Sequence, residues 1–412
     1  MKKTLVAAAV CSALASAASA QNVTLAGLVD VFAGSIQYSG DKRTAKVDSN
    51  GMTTSWWGMS GTEDLGGGLK ASFNVKGFFR PDTGAFGRFG GNENFFSRDA
   101  NVTLEGGFGK VTVGRALAPN FLPTVLFNAF GDSFAFSPLV LHANVPLFNG
   151  TGWQSVNAGD TGWSNEIIYS TPNFSGLSAN VHYQFGEVAG NSGNRNYGAN
   201  FLYFNGPFAV GGFFHNVRAN NPNAGTLGDV KLGFSQQKAW MLSAKAAVGP
   251  ANLYANYEKA KNDNYAGAAG NAESKTASVS VDLALGPGKL LAGYANTKWS
   301  TRPLSARNNS KRSTITLGYD YFLSKRTDAY AILMNDKITN FDRGNSFAVG
   351  LRHRFLSLHS ERKRHPRVPF LFLQCALVAR LVDQLVFLDP RHHRAELLAH
   401  LLDAVLAGQT TA

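Results

Sequence analysis

The sequence predicts an all-β protein, a sixteen-stranded antiparallel transmembrane β-barrel whose third long loop folds inward. Three observations predict this fold class. Stretches of strict polar–apolar alternation recur along the chain, seven tight-turn signals separate them, and one interval between turns is much longer than the others. Alternation with a period of two indicates a strand that has one apolar face and one polar face.

The first twenty residues have the pattern of an export signal. A basic start at Lys2 and Lys3 precedes a short apolar run, and small residues at 18–20 form a cleavage site. The apolar run is too short for a stable membrane span, so we interpret residues 1–20 as a secretory signal peptide. The exported body, residues 21–355, contains no cysteine and therefore uses neither disulfides nor thiol ligands.

The composition of residues 21–355 suits a barrel in a membrane. This body holds 30 Lys and Arg against 22 Asp and Glu, a net charge of +8, together with 43 glycines. No apolar run approaches the ~20 residues of a transmembrane helix. Sparse charges and frequent aromatics fit strands that present apolar side chains to lipid and polar side chains to a lumen.

Alternation is clearest in the stretches 69–76, 177–185, 275–285 and 314–321. In the third of them, Val279 and Val281 share a face with other apolar residues, whereas Ser278 and Ser280 share the opposite face. A soluble β-sandwich also alternates, but its polar face lies outside and is expected to hold more charge. We therefore expect a barrel whose polar face lines the lumen.

Tight turns determine the predicted strand count. Segments rich in Gly, Pro or Asn allow the chain to reverse within about two to five residues. Seven such segments lie at 64–68, 106–109, 173–176, 205–207, 249–250, 286–288 and 323–326. A barrel with periplasmic termini and seven short periplasmic turns has eight hairpins and therefore sixteen strands.

The interval between the second and third turns is an outlier. Most turn centres are about 30 to 44 residues apart, but these two are separated by roughly 67. Two strands of ~10 residues fit inside this interval and leave one long loop, residues 116–163. A loop of that length in a compact fold is usually functional. Because it is apolar and aromatic, we expect it to pack against the inner wall of the barrel.

The body shows no motif for catalysis, for a metal or for a cofactor: it has no H-E-x-x-H, no P-loop and no paired cysteines. Its four histidines are His142, His182, His215 and His353. A Ser-His-acid arrangement needs a histidine with an orienting carboxylate, and His182, beside Ser178 and Asn180, is the only candidate. The pattern does not favour an enzyme, and the signal peptide and alternation disfavour a nucleic-acid partner.

Four segments of the body together resemble a known family. They are "NVTLAGLVDVFAG" (22–34), "SWWGMSGTEDLGGGLKASF" (55–73), "FFSRDANVTLEGGFGKVTVGR" (95–115) and "FAVGLRHRF" (347–355). As a set they resemble the trimeric general porins of beta-proteobacteria. The resemblance implies a homotrimer in the outer membrane of a Gram-negative bacterium, in contact with lipid and lipopolysaccharide. The implied function is passive diffusion of ions and small hydrophilic solutes through a water-filled channel.

The resemblance also implies a constriction of the pore. In that family the third loop narrows each lumen to an eyelet, where acidic groups of the loop face basic groups of the wall. The candidates in this chain are the basic residues Lys70, Lys76, Arg80, Arg98, Lys110 and Arg115, and the loop residue Asp132. Alternation places Lys70, Lys76 and Lys110 inward. Each of these charges can equally be a solvated lumen or loop charge without a special role.

One position departs from the family pattern. Where the family often has Ser-Arg on the second strand, this chain has Ser55 followed by Trp56, and a lysine expected close by is also missing. Two positive charges are therefore absent from one end of the basic ladder, which leaves the preference for anions open. Trp56 can narrow the eyelet or offer an aromatic surface to a solute.

The final strand of the body ends on an aromatic residue. Val349, Leu351, His353 and Phe355 alternate with the residues between them, and Phe355 is the last of this series. Members of the family end on such a phenylalanine. Phe355 resembles the signal that the barrel-assembly machinery reads, so we expect this machinery to be a partner of the chain.

Residues 356–412 differ from the body in composition. They contain one glycine, five of the nine histidines, a basic run at 361–367 and leucines at helical spacing. We expect this tail to be helical or disordered, and three origins are open: a frameshift or read-through product, a periplasmic appendage, or a segment that binds a membrane surface. Because the tail follows Phe355, it is expected to hinder insertion. The alternative function is therefore a non-conducting outer-membrane barrel, either a defective allele or a protein for adhesion or scaffolding.

Overall fold

The structure is a computed structural model that describes residues 22–88, 93–143, 161–187, 189–190, 195–218, 236–263, 271–302 and 309–356. The predicted signal peptide, residues 357–412 of the tail and residues 144–160 of the third loop lie outside the described residues. The described part contains seventeen strands and two short helices.

The strands are β1 (Asn22–Ile36), β2 (Thr44–Ser49), β3 (Trp56–Gly66), β4 (Leu69–Phe78), β5 (Asp99–Gly106), β6 (Gly109–Leu117), β7 (Gly162–Ser170), β8 (Leu177–Gln184), β9 (Asn196–Asn205), β10 (Phe208–Val217), β11 (Gln236–Val248), β12 (Ala251–Asp263), β13 (Asn271–Leu285), β14 (Gly288–Arg302), β15 (Lys311–Phe322), β16 (Thr327–Ile338) and β17 (Gly344–Leu356). The helices are α1 (Phe121–Val125) and α2 (Pro138–His142), and both lie between β6 and β7. In the described ranges, no helix combines the length and hydropathy that a membrane crossing requires.

Antiparallel pairing closes the strands into a barrel. Each strand from β3 to β17 pairs with the next, and β17 pairs with β1, where Phe355 stands opposite Gly27. β2 and β3 both pair with β1, one with its second half and the other with its first half. They are two parts of one barrel position, so the seventeen strands occupy sixteen positions, and the predicted sixteen-stranded barrel is confirmed.

The seven predicted tight turns all join neighbouring strands at one end of the barrel. Three of them place Gly206, Gly249 and Gly286 at φ values of 56°, 57° and 56°. This left-handed conformation costs glycine little because glycine has no Cβ. The connections at the other end are longer, and the longest of them holds α1 and α2.

The two faces of the strands differ in the way that alternation predicts. On β13, the side chain of Val279 is 56% exposed, whereas the neighbouring Ser278 is 3% exposed. The same pattern, with exposed apolar residues and buried polar ones, recurs around the barrel. It inverts the distribution of a soluble protein and suits a barrel with lipid outside and polar groups inside.

The seam between the first and last strands packs an aromatic ring over a glycine. A Cβ built on Gly27 collides with the ring of Phe355 and with the carbonyl oxygen of Trp56. The ring therefore occupies the space that a side chain at position 27 would need. Because β17 reaches Leu356, the hydrogen-bonded pairing continues one residue beyond Phe355.

Candidate functional site

The third long connection lies inside the barrel. The backbone oxygens of Phe127 and Phe136 accept hydrogen bonds from Asn256 Nδ2 at 2.9 Å and Thr316 Oγ1 at 2.8 Å. Ala129 N donates to Ser280 Oγ at 3.0 Å. These partners belong to the polar, inward faces of β12, β13 and β15, so the predicted inward-folded third loop is confirmed.

Apolar contacts explain the unusual composition of this loop. Phe130 and Phe136 pack with residues of β1, β14 and β16, and the rings of Phe136 and Phe32 meet edge-on at 5.2 Å. Phe127 packs with β9, β10 and β12, and Leu139 packs with β10, β11 and β12. Burying each such side chain contributes roughly 1.5–3 kcal/mol. The loop is therefore a packed element of the lumen.

Asn128 organises the loop internally. Its Nδ2 donates to the backbone oxygens of Thr124 and Gly131, both at 2.8 Å, and its Oδ1 accepts from Phe130 N at 2.9 Å and Ser137 Oγ at 2.9 Å. One buried amide thus joins the end of α1 to the start of α2. A network whose polar atoms are all satisfied fixes a single arrangement of the chain.

His142 attaches the end of α2 to the wall. Its two ring nitrogens lie 2.8 Å from Thr297 Oγ1 and 2.7 Å from Thr314 Oγ1. Burial, helped by the nearby Arg312 guanidinium, lowers the pKa of His142 well below its ordinary value, so the imidazole is neutral. A neutral imidazole donates through one nitrogen and accepts through the other, which matches two hydroxyl partners.

The buried pair of Arg312 and Asp336 supports the same end of the loop. Arg312 Nε lies 2.8 Å from Asp336 Oδ1, and both side chains are fully buried. Arg312 Nη1 also donates to the backbone oxygen of Leu141 at 3.0 Å, and Thr314 Oγ1 donates to Asp336 at 2.6 Å. Wall charges therefore hold the loop backbone in place.

The wall across the lumen from the loop contains a group of charged and aromatic side chains. β5 is eight positions from β13 in the sixteen-position ring, so the two strands lie on opposite sides. Just before β5, the guanidinium carbon of Arg98 lies 3.9 Å from the ring centroid of Trp56. Lys76 Nζ lies 5.8 Å from the same ring. Trp56 therefore underlies two cations on this wall, as expected for cation–π contacts.

One carboxylate serves both of these cations. Asp99 Oδ2 lies 3.6 Å from Arg98 Nε and 3.7 Å from Lys76 Nζ. Burial lowers the pKa of Arg98, but a guanidinium with an ordinary pKa above ~12 remains charged. Two positive charges and one negative charge leave this group with a net positive charge. We name Trp56, Lys76, Arg98 and Asp99 the β3–β5 cluster.

Asp132, the acidic residue of the third loop, lies among positive groups. Its enclosure raises its pKa, while a hydrogen bond from Thr53 and the charges of Arg98 and Arg352 act in the opposite direction. Arg352 Nη1 in turn donates to Thr53 Oγ1 at 2.8 Å. The structure thus brings together Trp56, Lys76, Arg98 and Asp132 among the residues that the sequence nominated.

Lys70 and Lys110 lie elsewhere in the lumen. Each is the second residue of a strand that follows a tight turn, Lys70 in β4 after the β3–β4 turn and Lys110 in β6 after the β5–β6 turn. Glu105 stands between them across the strands, and Lys110 Nζ lies 3.0 Å from its Oε2. Both lysines belong to the turn end of the barrel, whereas the third loop enters from the other end.

Arg80 and Arg115 are engaged by other groups. Arg80 Nη2 lies 3.1 Å from Asp48 Oδ1 and 3.2 Å from Asp82 Oδ2. Arg115 sits at a bulge of β6, and it donates to the backbone oxygen of Ser97 at 2.5 Å and to Ser164 Oγ at 2.9 Å. At the bulge, side chains no longer alternate strictly between the lumen and the outer face, so alternation counted along the sequence does not give the direction of Arg115. Arg115 therefore joins the second loop, which is the connection between β4 and β5, to β7.

The charged residues on the inward faces of β15, β16 and β17 were not nominated from the sequence. Arg352 pairs with Asp328 at 2.9 Å and with Asp320 at 3.1 Å, and Arg354 pairs with Asp328 at 2.6 Å. Together with Arg312 and Asp336 they place alternating charges on the inward faces of β15 to β17. The outward series that ends at Phe355 already implied that Arg352 and Arg354 point inward, so alternation could have found them.

Comparison with known proteins agrees with this arrangement. The model of the Gram-negative porin family matches residues 6–340. The chain is 31% identical over 350 residues to outer membrane porin protein 32 of Delftia acidovorans, which covers 81% of this chain and 89% of the relative. It is 27% identical over 307 residues to major outer membrane protein P.IB of Neisseria meningitidis, covering 72% of this chain and 82% of the relative.

A solved structure has the same fold. The anion-selective porin from Comamonas acidovorans superimposes with a TM-score of 0.64 at 26% identity, over 81% of this chain and 100% of that one. Porins are diffusion channels and not enzymes. The closed barrel, the loop in its lumen and the family match lead to one conclusion: this chain belongs to the Gram-negative porins and is an outer-membrane channel for passive diffusion.

Proposed function

We propose that ions and small hydrophilic solutes pass between the third loop and the β3–β5 cluster, and that this gap is the constriction of the pore. The observation that supports the proposal is the position of the loop. It packs against the inward faces of β9 to β17 and of β1, and its tip rests on residues 50–55, so the remaining wall with Trp56, Lys76 and Arg98 is left to face the passage. Asp132 supplies the acidic group on the loop side.

The charges proposed for the constriction are mostly paired. Arg98 and Lys76 share Asp99, and Asp132 lies near Arg98 and Arg352. Opposite charges across a narrow lumen create a transverse field that slows apolar solutes and favours hydrated ones. Because the paired charges nearly cancel, we propose a weaker preference for anions than a fully basic wall would give. Lys70 and Lys110 then act at the periplasmic mouth, and Arg80 and Arg115 act as supports of the second loop.

We propose that the chain assembles as a homotrimer, as its resemblance to trimeric porins implies. An aromatic cluster on the outer surface supports this proposal. Trp57 and Phe95 meet edge-on at 6.0 Å, Phe96 and Phe86 join them, and all four side chains are exposed in the single chain. A neighbouring subunit would cover this surface, whereas the rest of the apolar outer face would contact lipid and lipopolysaccharide.

The end of the barrel is proposed to be its assembly signal. Phe355 closes the outward series of β17 and packs at the seam with β1. We propose that the barrel-assembly machinery reads this residue and that residues 356–412 are a frameshift or read-through extension. The nucleotide sequence after the codon for Phe355 tests the second part. A clean in-frame coding pattern with no displaced stop codon would favour an appendage.

Planar-bilayer conductance tests the proposed function. The chain from residue 21 to 412 and a chain that ends at Phe355 are refolded in detergent and compared. Current steps in groups of three from either chain support a trimeric channel, and steps only from the shorter chain show that the extension blocks assembly. Single steps without grouping would contradict the trimer. If exclusion of solutes by size is unchanged after Phe130 and Phe136 are replaced by alanine, the third loop is not the constriction.

A further inference from the structure

We infer that Asp30 is a positioning residue of the constriction, and that it holds the tip of the third loop through residues 50–55. The inference rests on the proposed role of that loop as the narrowest part of the pore. Residues 50–55, which we name the insertion, interrupt the barrel strand between β2 and β3. The insertion is the part of the wall that contacts Asp132 and its neighbour Ser133.

The insertion lacks a regular partner in the sheet. Val31 of β1 pairs with Ser49, and Leu28 pairs with Trp56, so six residues of one strand stand opposite two of the other. Backbone N–H groups in such a bulge need acceptors from elsewhere when they are buried. Asp30, on β1 directly opposite the insertion, is fully buried and supplies these acceptors.

The carboxylate of Asp30 accepts four hydrogen bonds. Oδ2 accepts from the backbone nitrogens of Met52 and Thr53, both at 2.8 Å. Oδ1 accepts from Gly51 N at 3.2 Å and from the Tyr330 hydroxyl at 2.5 Å. Hydrogen bonds to an ionised acceptor are stronger than those to a neutral one. One buried group therefore fixes three consecutive residues of the insertion.

Gly51 makes this arrangement sterically possible. A Cβ at this position would collide with the hydroxyl oxygen of Tyr330 and crowd the ring of Phe32. Without a side chain at position 51, the Tyr330 hydroxyl reaches Asp30 and the backbone of the insertion lies against the wall. The tyrosine therefore both donates to Asp30 and limits where Gly51 can lie.

The insertion in turn contacts the tip of the third loop. Ser133 Oγ donates to the backbone oxygen of Gly51 at 2.5 Å, and the Thr53 side chain lies beside the Asp132 carboxylate. Met52 is buried in the same apolar cluster as Phe130 and Phe136. The loop tip thus rests on a segment whose own position depends on Asp30. Loss of the carboxylate should loosen the loop although Asp30 itself does not face the passage.

The Asp30→Asn variant separates this role from a general loss of packing. Asparagine has the same shape, but its amide group cannot accept, so only two of the four hydrogen bonds that the carboxylate accepts can remain. The Tyr330 contact can persist beside Nδ2 only if the hydroxyl turns from donor to acceptor. We expect the open channel to fluctuate more, and the time spent in partly closed states to rise by about tenfold. Tyr330→Phe removes one hydrogen bond and should act in the same direction with a smaller effect.

Asp282→Asn is the matched control. Asp282 is also a buried lumen carboxylate that accepts from a tyrosine hydroxyl, Tyr254, at 2.6 Å, and it lies on β13, far around the ring from the insertion. If closures depend on the insertion, this variant should fluctuate like the parent. Equal increases in the two asparagine variants would mean that any buried carboxylate has this effect, which would overturn the inference.

Cross-linking provides a readout that does not depend on conduction. The body has no cysteine, so Thr53→Cys and Asp132→Cys can be combined with Cys375→Ser in the chain from residue 21 to 412, which lacks Cys11. Oxidation by diamide should form the 53–132 disulfide rapidly with Asp30 present and about tenfold more slowly with Asp30→Asn. The disulfide, once formed, should suppress the excess closures of the Asp30→Asn pore, and a reductant should restore them.

These measurements distinguish the inference from the proposed function. Unchanged noise and an unchanged cross-linking rate in Asp30→Asn would overturn the role of Asp30. If the cross-linking rate falls but neither the disulfide nor its reduction alters the current, the insertion positions the loop and the loop is not the constriction. The first result would refute this inference alone, and the second would refute the proposed function on which it rests.

Discussion

The guanidinium of Arg98 stacks on the ring of Trp56, with 3.9 Å between the guanidinium carbon and the ring centroid. Trp56 stands at a position where porins of this family often have an arginine. The chain therefore has an aromatic ring that supports Arg98 in place of a second positive charge. Stacking fixes the plane of Arg98 without neutralising it. The β3–β5 cluster consequently has one fewer cation, and the remaining cations share Asp99.

Replacing Trp56 by arginine should increase the preference of the pore for anions. The substitution adds a positive charge to a group that already has a net positive charge, and the charge lies in a narrow lumen where screening by water is incomplete. The reversal potential in a potassium chloride gradient measures the effect. Trp56→Phe is the control because it keeps an aromatic face and adds no charge. An unchanged reversal potential in Trp56→Arg would contradict a position for Trp56 in the constriction.

Asp132 should make the selectivity of the pore depend on pH. Its enclosure raises its pKa in the folded protein, so the folded state binds this proton more tightly than the unfolded chain does. The charged form therefore destabilises the fold above the raised pKa, and this cost disappears as the pH falls through it. Between neutral pH and the ordinary carboxyl value of 3.8, protonation removes the negative charge beside Arg98 and Arg352 and should raise anion preference.

Reversal potentials measured down a pH series test this prediction with two variants. Asp132→Asn should show high anion preference at neutral pH and little further change on acidification. Asp41→Asn is the matched control, since burial also raises the pKa of Asp41 but that residue lies in the first loop, between β1 and β2. A pH response that survives in Asp132→Asn and is absent from Asp41→Asn would assign the titration to the first loop instead.

The barrel could be predicted because its signals are local. A one-residue slip of register would turn every apolar side chain of a strand into the lumen, so alternation specifies the faces strongly. Tight turns can be located in the sequence because glycine and proline lie within a few residues of each other there. The inward position of the third loop followed from its length and apolar composition, and Phe130 and Phe136 show the packing that this composition required.

The insertion could not be predicted, because its cause is not local. Residues 50–55 leave the strand to meet Asp30, which lies more than twenty positions earlier, and Tyr330, which lies 300 positions after Asp30. The bulge that redirects Arg115 has the same character, since one unpaired residue changes the face of those that follow. By contrast, Arg352 lay within reach of alternation once Phe355 was placed on the outer face.

Breaking the pair of Arg312 and Asp336 should destabilise the protein strongly. Both side chains are fully buried, and Asp336→Asn leaves the guanidinium without its counter-charge. Removing one partner of a buried ion pair costs roughly 3–5 kcal/mol. The temperature of irreversible unfolding, followed by circular dichroism at a fixed heating rate, should fall clearly.

An exposed pair on the barrel gives the comparison for that measurement. Lys259 Nζ and Glu273 Oε2 are 3.2 Å apart, and their side chains are 38% and 30% exposed. An exposed pair contributes at most ~1 kcal/mol, so Glu273→Gln should barely move the transition. Equal shifts for Asp336→Asn and Glu273→Gln would mean that the buried pair does not anchor the loop.

Because of His142, the stability of the fold should decrease in mild acid. Replacing His142 by glutamine should remove this part of the pH dependence. Burial lowers its pKa in the folded protein well below the ordinary value of 6.5, so the folded state binds this proton less tightly than the unfolded chain. Its contribution is therefore fully present above about pH 6.5 and is lost below it, by about 1.4 kcal/mol for each pH unit. Protonation would also set a positive charge beside Arg312 and remove the acceptor of the Thr297 hydroxyl, because the Thr314 hydroxyl already donates to Asp336.

His142→Gln replaces the imidazole by an amide that still donates and accepts, so its effect at neutral pH should be about 1–2 kcal/mol. Unfolding temperatures measured between pH 7 and 5 should fall less steeply for this variant than for the parent, because glutamine does not titrate. His353→Gln, at an exposed position of β17, should retain the parent slope. Parallel slopes for the parent and His142→Gln would show that the buried imidazole keeps its contacts to the wall when the lumen is acidified, and that some other group destabilises the barrel in acid.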